Sequence, residues 1–197
     1  MIEVTNQPPP LENYSLLSSD PVLRDALVRE HAGWALDDLA TLGRQLGTAE
    51  MIGAGADANR NSPVLKSFDR YGHRIDEVEF HGSWHKLLGL ALSAGLHSGP
   101  WVEPRKGAHV ARAAGCYMLA QIESGVYCPV SMTYAAVATL NHSPQIAAEW
   151  LPRIYSRAYD PSFKPVAEKT SALIGMGMTE NQGGSDLRAN VTRAVPY

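Results

Sequence analysis

The chain has 197 residues, 45% of them apolar and 19% charged, which is enough for a sizeable core in one large or two small domains and too apolar for disorder. A net charge of −3 and a pI near 6.1, with Lys and Arg scattered, argue against a broad nucleic-acid footprint. Cys116 and Cys128 form neither a disulfide framework nor a C-x-x-C site and fit a reducing cytosol; no apolar run approaches the ~18 residues of a spanning helix, and Met1–Pro10 lacks the apolar stretch of an export signal.

Residues 1–19 read as an extended amino-terminal arm, because Pro8-Pro9-Pro10 cannot form helix interior, and such arms often pack on a neighbour. Asp20-Pro21 is an N-cap followed by proline at the first helical position, with Leu23, Ala26 and Leu27 on one face before Gly33 interrupts. Leu36, Leu39, Gly43 and Leu46 recur at helical spacing up to Gly47, and Thr48 can cap a further helix through Met51 and Ile52. The polar stretch from Asn59 to Gly72, with Pro63 and Tyr71-Gly72, reads as a loop.

Trp84, Leu87, Leu88, Ala91 and Gly95 then give a wide apolar helical face, with Ala91 and Gly95 permitting close approach. From Lys106 to Ser124 apolar positions surround most of the helix, Ala111, Ala114, Met118 and Ile122 on one side and Val110, Ala113 and Tyr117 on another, which predicts a central, buried helix. Pro129 can start a small-residue helix through Met132, Ala135, Ala136 and Thr139, and Ser143-Pro144 caps the next, with Ile146 and Trp150. Pro152, Pro161 and Pro165 break the pattern and put a domain boundary near 160–171.

After that boundary Leu173-Ile-Gly-Met-Gly-Met-Thr179 reads as a buried strand. Alternation sets Ala172, Ile174, Met176 and Met178 on one face and Leu173, Gly175, Gly177 and Thr179 on the other. The second face is nearly bare, and glycine at alternate strand positions suits the close approach of something flat. The turn from Asn181 to Ser185 offers N–H groups to an anion. Read from residues alone, the same glycines can equally serve only a tight turn between two strands. Met176 and Met178 can be core fillers, and Glu180 and Asp186 are turn-bonding groups rather than an acid/base pair.

Two other patterns are weaker. Gly53-Ala-Gly55-Ala-Asp-Ala58 fits a relaxed dinucleotide fingerprint but follows a helical stretch, not a strand. His81 and His85 stand four apart without a metalloprotease glutamate or a third ligand, so a helix-start histidine bonding locally is the simpler reading.

The run Met178-Thr-Glu-Asn-Gln-Gly-Gly-Ser-Asp186, with Thr192-x-Ala194 downstream, resembles the flavin-binding signature of the acyl-CoA dehydrogenase family. Asn6-Gln7-Pro8, Arg29-Glu30-x-Ala-Gly-Trp34, Leu46-Gly-Thr-Ala-Glu50, Phe80-His-x-x-Trp-His85 and Cys128-Pro129 resemble its AidB-like branch, linked to the bacterial adaptive response to DNA alkylation. Asn181 and Gly183 depart from the commoner Thr-Glu-Pro-x-Ala-Gly-Ser-Asp form and fit the AidB-like branch better.

The resemblance implies a mainly α fold: a helical bundle domain over 20–170 of the acyl-CoA dehydrogenase type, then the truncated first strands of a β-domain over 171–197, in an amino-terminal fragment of a longer protein. It implies FAD as cofactor, with Met176, Met178 and Thr179 lining the flavin ring and Gly184 and Ser185 holding pyrophosphate oxygens. In that family a glutamate of the carboxy-terminal domain takes a proton alpha to a thioester carbonyl while a beta hydrogen leaves as hydride. No residue of this chain corresponds to it, so no catalytic residue and no metal ligand is assigned. Further implications are an acyl-CoA-like substrate, a homo-oligomer of tetramer type, a cytoplasmic location, and DNA contact only through a carboxy-terminal domain absent from this sequence. The alternatives from other classes are a cofactor-free helical interaction module and a DNA-protection protein whose flavin chemistry is incidental.

Overall fold

The structure, a computed structural model, describes residues 4–195. Its elements in chain order are α1 (Pro21–Arg29), α2 (Leu36–Leu46), α3 (Ala49–Arg60), β1 (Val64–Phe68), β2 (Arg74–Glu79), α4 (Gly82–Ser93), α5 (Gly99–Val102), α6 (Ala108–Ile122), α7 (Tyr127–Leu140) and α8 (Pro144–Ile154). The fold is mainly α, as the periodicity predicts.

Local chemistry sets the helix ends. The Asp20 carboxylate accepts from Leu23 N at 2.9 Å and Pro21 occupies the first turn of α1; Thr48 Oγ accepts from Met51 N at 3.2 Å and opens α3. At the end of α4, Leu96 N donates to Ala91 O and Gly95 N to Leu92 O, with Gly95 at φ +70°. This is a left-handed termination that only glycine adopts without strain. Gly95 therefore stops the helix instead of extending its packing face. His31 takes the equivalent left-handed position after α1, at φ 62°.

Against each other pack α2 and α6, α3 and α4, and α7 and α8. One apolar cluster holds Leu27, Leu39, Leu42, Leu46, Leu87, Leu88, Leu92, Met118, Leu119 and Val130. Complete burial of each such leucine contributes about 1.5–3 kcal/mol. α6 runs through the middle, with Ala111, Ala114, Gly115, Cys116, Met118 and Leu119 buried, but its second side faces solvent, since Tyr117 is 53% exposed. Alanine and tyrosine read as apolar in the pattern yet tolerate water.

Helix spacing is set by small residues. A Cβ at Gly55 in α3 would lie 2.4 Å from Ile122 O of α6, so Gly53-Ala-Gly55 is helix interior, with Gly55 in close contact with α6, not a nucleotide loop. The amino-terminal arm divides at Asn13: residues 4–13 are exposed, whereas Tyr14 N and Leu16 N donate to Gly47 O and Gly43 O at 3.2 Å and Leu16 and Leu17 are buried on α2.

Two expectations change. The segment 59–72 is not simply a loop: β1 pairs antiparallel with β2, Leu65 opposite Val78 and Lys66 opposite Glu77, around a turn in which Asp69 accepts from Tyr71 N and His73 N and Gly72 stands at φ 84°. Pro152 does not end α8, which continues to Ile154; only the Ala148 carbonyl loses its intrahelical partner there.

Candidate functional site

The Gly-rich segment leaves the helical domain through two pins. Ala172 N donates to Arg153 O at 3.2 Å at the end of α8, and Ile174 N donates to Thr133 Oγ1 at 3.0 Å on α7, where Thr133 is fully buried. Before them, the Asp160 carboxylate gathers Ser162 N, the Ser162 hydroxyl and Thr170 N, while Lys169 Nζ donates to Asp160 O. The Ser162 hydroxyl first, then those N–H groups, hold the Asp160 carboxyl far below the usual carboxylate range. Arg153 ties the same loop by donating to Lys169 O and Ala167 O. The entry to the segment is thus fixed by buried or well-bonded groups.

Beyond Ile174 the chain is exposed and unpaired, which corrects the buried strand: among the described residues nothing forms a ladder with 172–179. A strand needs a partner for its backbone groups, and without one Met176 is 38% and Met178 59% exposed. Gly175, Gly177 and Gly184 are the informative positions. None has a positive φ, and a Cβ on any of them would meet no atom of this chain within 4 Å. Neither backbone geometry nor internal packing asks for glycine there.

Met176, Met178, Thr179, Gly184 and Ser185 all lie on this exposed stretch. Among the described residues the Thr179 and Ser185 hydroxyls carry no hydrogen bond, nor do the Gly184 and Ser185 N–H groups. Gly183 differs, because its N–H is taken by Glu180 O at 2.8 Å in a tight turn, which removes one of the N–H groups the turn was expected to offer. Asp186 Oδ1 accepts from Arg188 N at 3.2 Å, the turn-bonding role read for it. Sequence reasoning missed three positioning contacts: Thr133 on Ile174, the Asp160 loop, and Asn190 Nδ2, which donates to Met178 O at 2.7 Å. The only signal for them was a threonine inside an apolar helix and polar residues clustered between prolines.

Beside the segment lies a cleft of about 520 Å³ lined by Glu77, Phe80, Trp84, His85, Tyr159 and Leu173. Phe80 stacks on Trp84 with centroids 4.0 Å apart, and Tyr159 Oη meets His85 Nδ1 at 2.5 Å. Burial lowers the His85 pKa and pushes Tyr159 up to about 12, so the phenol keeps its proton. His81 accepts from Ser83 N at 3.2 Å as the N-cap of α4, so the two histidines have separate local partners.

Residues 6–161 match the family model described as the adaptive response protein AidB N-terminal domain. The chain belongs to the AidB family. It is 46% identical over 193 residues to AidB of Escherichia coli (strain K12), an alignment that takes in 97% of this chain, the Gly-rich segment included, and 36% of that protein. It is 28% identical over 180 residues to acyl-CoA dehydrogenase family member 11 of Caenorhabditis elegans, covering 85% of this chain and 27% of that one. The solved structure of C. elegans ACDH-11 in complex with C11-CoA superposes with a TM-score of 0.76 at 25% identity, over 93% of this chain and 31% of the other. Bd2924 in its apo form gives 0.76 at 26% identity, over 89% and 34%. The AidB-family chain thus spans about a third of the length of these relatives, and its helical bundle is that of the acyl-CoA dehydrogenases. Among the described residues no helix is long and apolar enough to cross a membrane.

Proposed function

We propose that this chain forms the helical wall and the first cofactor-contacting segment of an FAD-dependent oxidoreductase of the AidB branch. The observation that carries the reading is the set of glycines at 175, 177 and 184, which the chain's own conformation and packing leave unexplained, next to hydroxyls at Thr179 and Ser185 without partners among the described residues. Bare backbone at these positions, with donors left over, suits the close approach of a flat ring joined to phosphates.

Bound there, the flavin supplies hydride transfer. The residues of this chain bind and orient: Thr179 donates its hydroxyl near the ring's reactive edge, the main chain at Met176 and Met178 borders the ring, and the Gly184 N–H with the Ser185 N–H and hydroxyl meet pyrophosphate oxygens. The Thr133 and Arg153 pins fix where that segment leaves the helices. The base lies outside this chain. The substrate class is an acyl-CoA-like thioester, the assembly a homo-oligomer, the setting the cytoplasm and the alkylation response, with DNA contacted by a carboxy-terminal domain.

The test is flavin content, read as the ratio of flavin to protein absorbance in the protein expressed from its complete reading frame. Thr179→Val and Ser185→Ala should each lower retained FAD severalfold after dialysis. Equal flavin in both variants and the parent removes the site assignment, and a folded parent without flavin favours the cofactor-free helical module.

A further inference from the structure

Glu180 stands in the middle of the segment, and its carboxylate accepts from four donors. Val191 N lies 3.0 Å from both oxygens, Thr192 N lies 2.5 Å from Oε1, and the Thr192 hydroxyl and the Gln182 side-chain amide complete the set. Two of the donor residues are eleven and twelve positions away, so these bonds are not those of a local turn. A carboxylate has about four lone-pair sites, and here all are used on one loop. Hydrogen bonds to an ionised acceptor are roughly twice as strong as neutral ones. The second strap, Asn190 to Met178 O, ties the residue before Val191 to the chain two residues before Glu180.

We propose that Glu180 is a positioning residue: by clasping Val191 and Thr192 it closes residues 180–192 into one loop and holds the Gly184 and Ser185 N–H groups outward, toward a single anionic group, the cofactor pyrophosphate. This rests on the FAD reading above. Inside the clasped loop the remaining turns are short-range, Gly183 N to Glu180 O at 2.8 Å and Ala189 N to Asp186 O at 3.2 Å, and Gly184 and Ser185 lie between them. The Thr192 hydroxyl, with the Val191 and Thr192 N–H groups, holds the Glu180 carboxyl down at about 2, so the clasp keeps its charge at any physiological pH. The donors also absorb that charge within the loop, which lets a carboxylate sit beside an anion site. None of the clasp residues contributes to the buried core, so opening the clasp leaves the helical domain folded.

The experiment compares Glu180→Ala, Glu180→Gln and Thr192→Val with the parent, all expressed from the complete reading frame. Amide hydrogen exchange reads the loop itself. Gly183 and Ala189 should exchange at least tenfold faster in Glu180→Ala while α6 amides stay as in the parent. Exchange at the parent's rate in that variant overturns the clasp. Flavin titration by fluorescence quenching reads the positioning: the Kd for FAD should rise at least tenfold in Glu180→Ala, by less in Glu180→Gln, which keeps an acceptor oxygen, and with an unchanged thermal midpoint. A parent that binds FAD and a Glu180→Ala variant that binds it equally well overturn the positioning role alone. A parent with a protected loop and no affinity for FAD overturns the cofactor reading and the pyrophosphate role with it.

Discussion

His97 is wholly enclosed: its Nε2 donates to Ser156 O at 3.0 Å, Ser98 Oγ lies 3.2 Å from the same nitrogen, and Nδ1 has no partner among the described residues. Burial is the main reason its pKa falls to about 4, with Arg157 and Arg112 acting in the same direction. An unfolded histidine titrates near 6.5. Between those values the unfolded chain binds a proton that the folded chain refuses, so this contribution is complete above pH 6.5 and is lost as pH falls toward 4. The loss is on the order of 3 kcal/mol. Urea midpoints should therefore drop between pH 7 and 4.5, and His97→Gln should drop less over the same window; an equal slope in both would assign the effect to other groups. The sequence carried no sign of this, because a lone histidine between Leu96 and Ser98 looks the same whether buried or not. Helix caps at Asp20 and Thr48 were legible, since a hydroxyl or carboxylate before an apolar repeat has few other uses. The Glu180 clasp was legible only as an acid in a turn, because its partners lie beyond the range of local pattern.

Among elements, α3 approaches α6 closely at Gly55. The Cβ of any other residue would meet the Ile122 carbonyl at 2.4 Å and its Cγ2 at 3.0 Å, and the carbonyl is backbone, which cannot swing aside as a flexible side chain could. Gly55→Val should cost about 1–3 kcal/mol, the range for overpacking, read as a lower denaturation midpoint. Gly53, two positions earlier on the same helix, meets nothing within 4 Å, so Gly53→Ala should raise stability by up to about 1 kcal/mol. The pair separates packing from a shared glycine motif. Helices were legible because a 3.6-residue repeat sustained over eleven or more residues is hard to mimic, as in α2, α4 and α6. The hairpin was not: its strands run five and six residues and bury almost nothing, so Val64, Leu65 and Val78 give no consistent alternation. Proline was over-read at 152, two residues before the helix end, where losing one bond is tolerable.

At the scale of the molecule, folding energy is concentrated before residue 175. Leu16 and Leu17 on one side and Ser171 and Ala172 on the other are the outermost buried residues, and from Gly175 to Val195 no residue is buried. A chain ended after Ile174 should thus unfold within a few degrees of the full 197 residues, measured by circular dichroism at 222 nm. A fall of ten degrees or more would show that the Gly-rich segment supports the bundle after all. The mainly α architecture could be read from sequence because it is self-contained. The state of the segment could not, because strand geometry depends on neighbours, and among the described residues it has none.

The hydrogen bond from Ile174 to Thr133 has a consequence for how such proteins can be recombined. Among the described residues it is the last hydrogen bond from the bundle to the segment, and it needs only a main-chain N–H from its partner. Any sequence whose residue 174 is not proline can donate that bond, so the bundle can be spliced to a different downstream module without redesign of its interior. The crossover point for exchange between relatives is then marked by a single threonine hydroxyl on α7, one residue short of the first unexplained glycine.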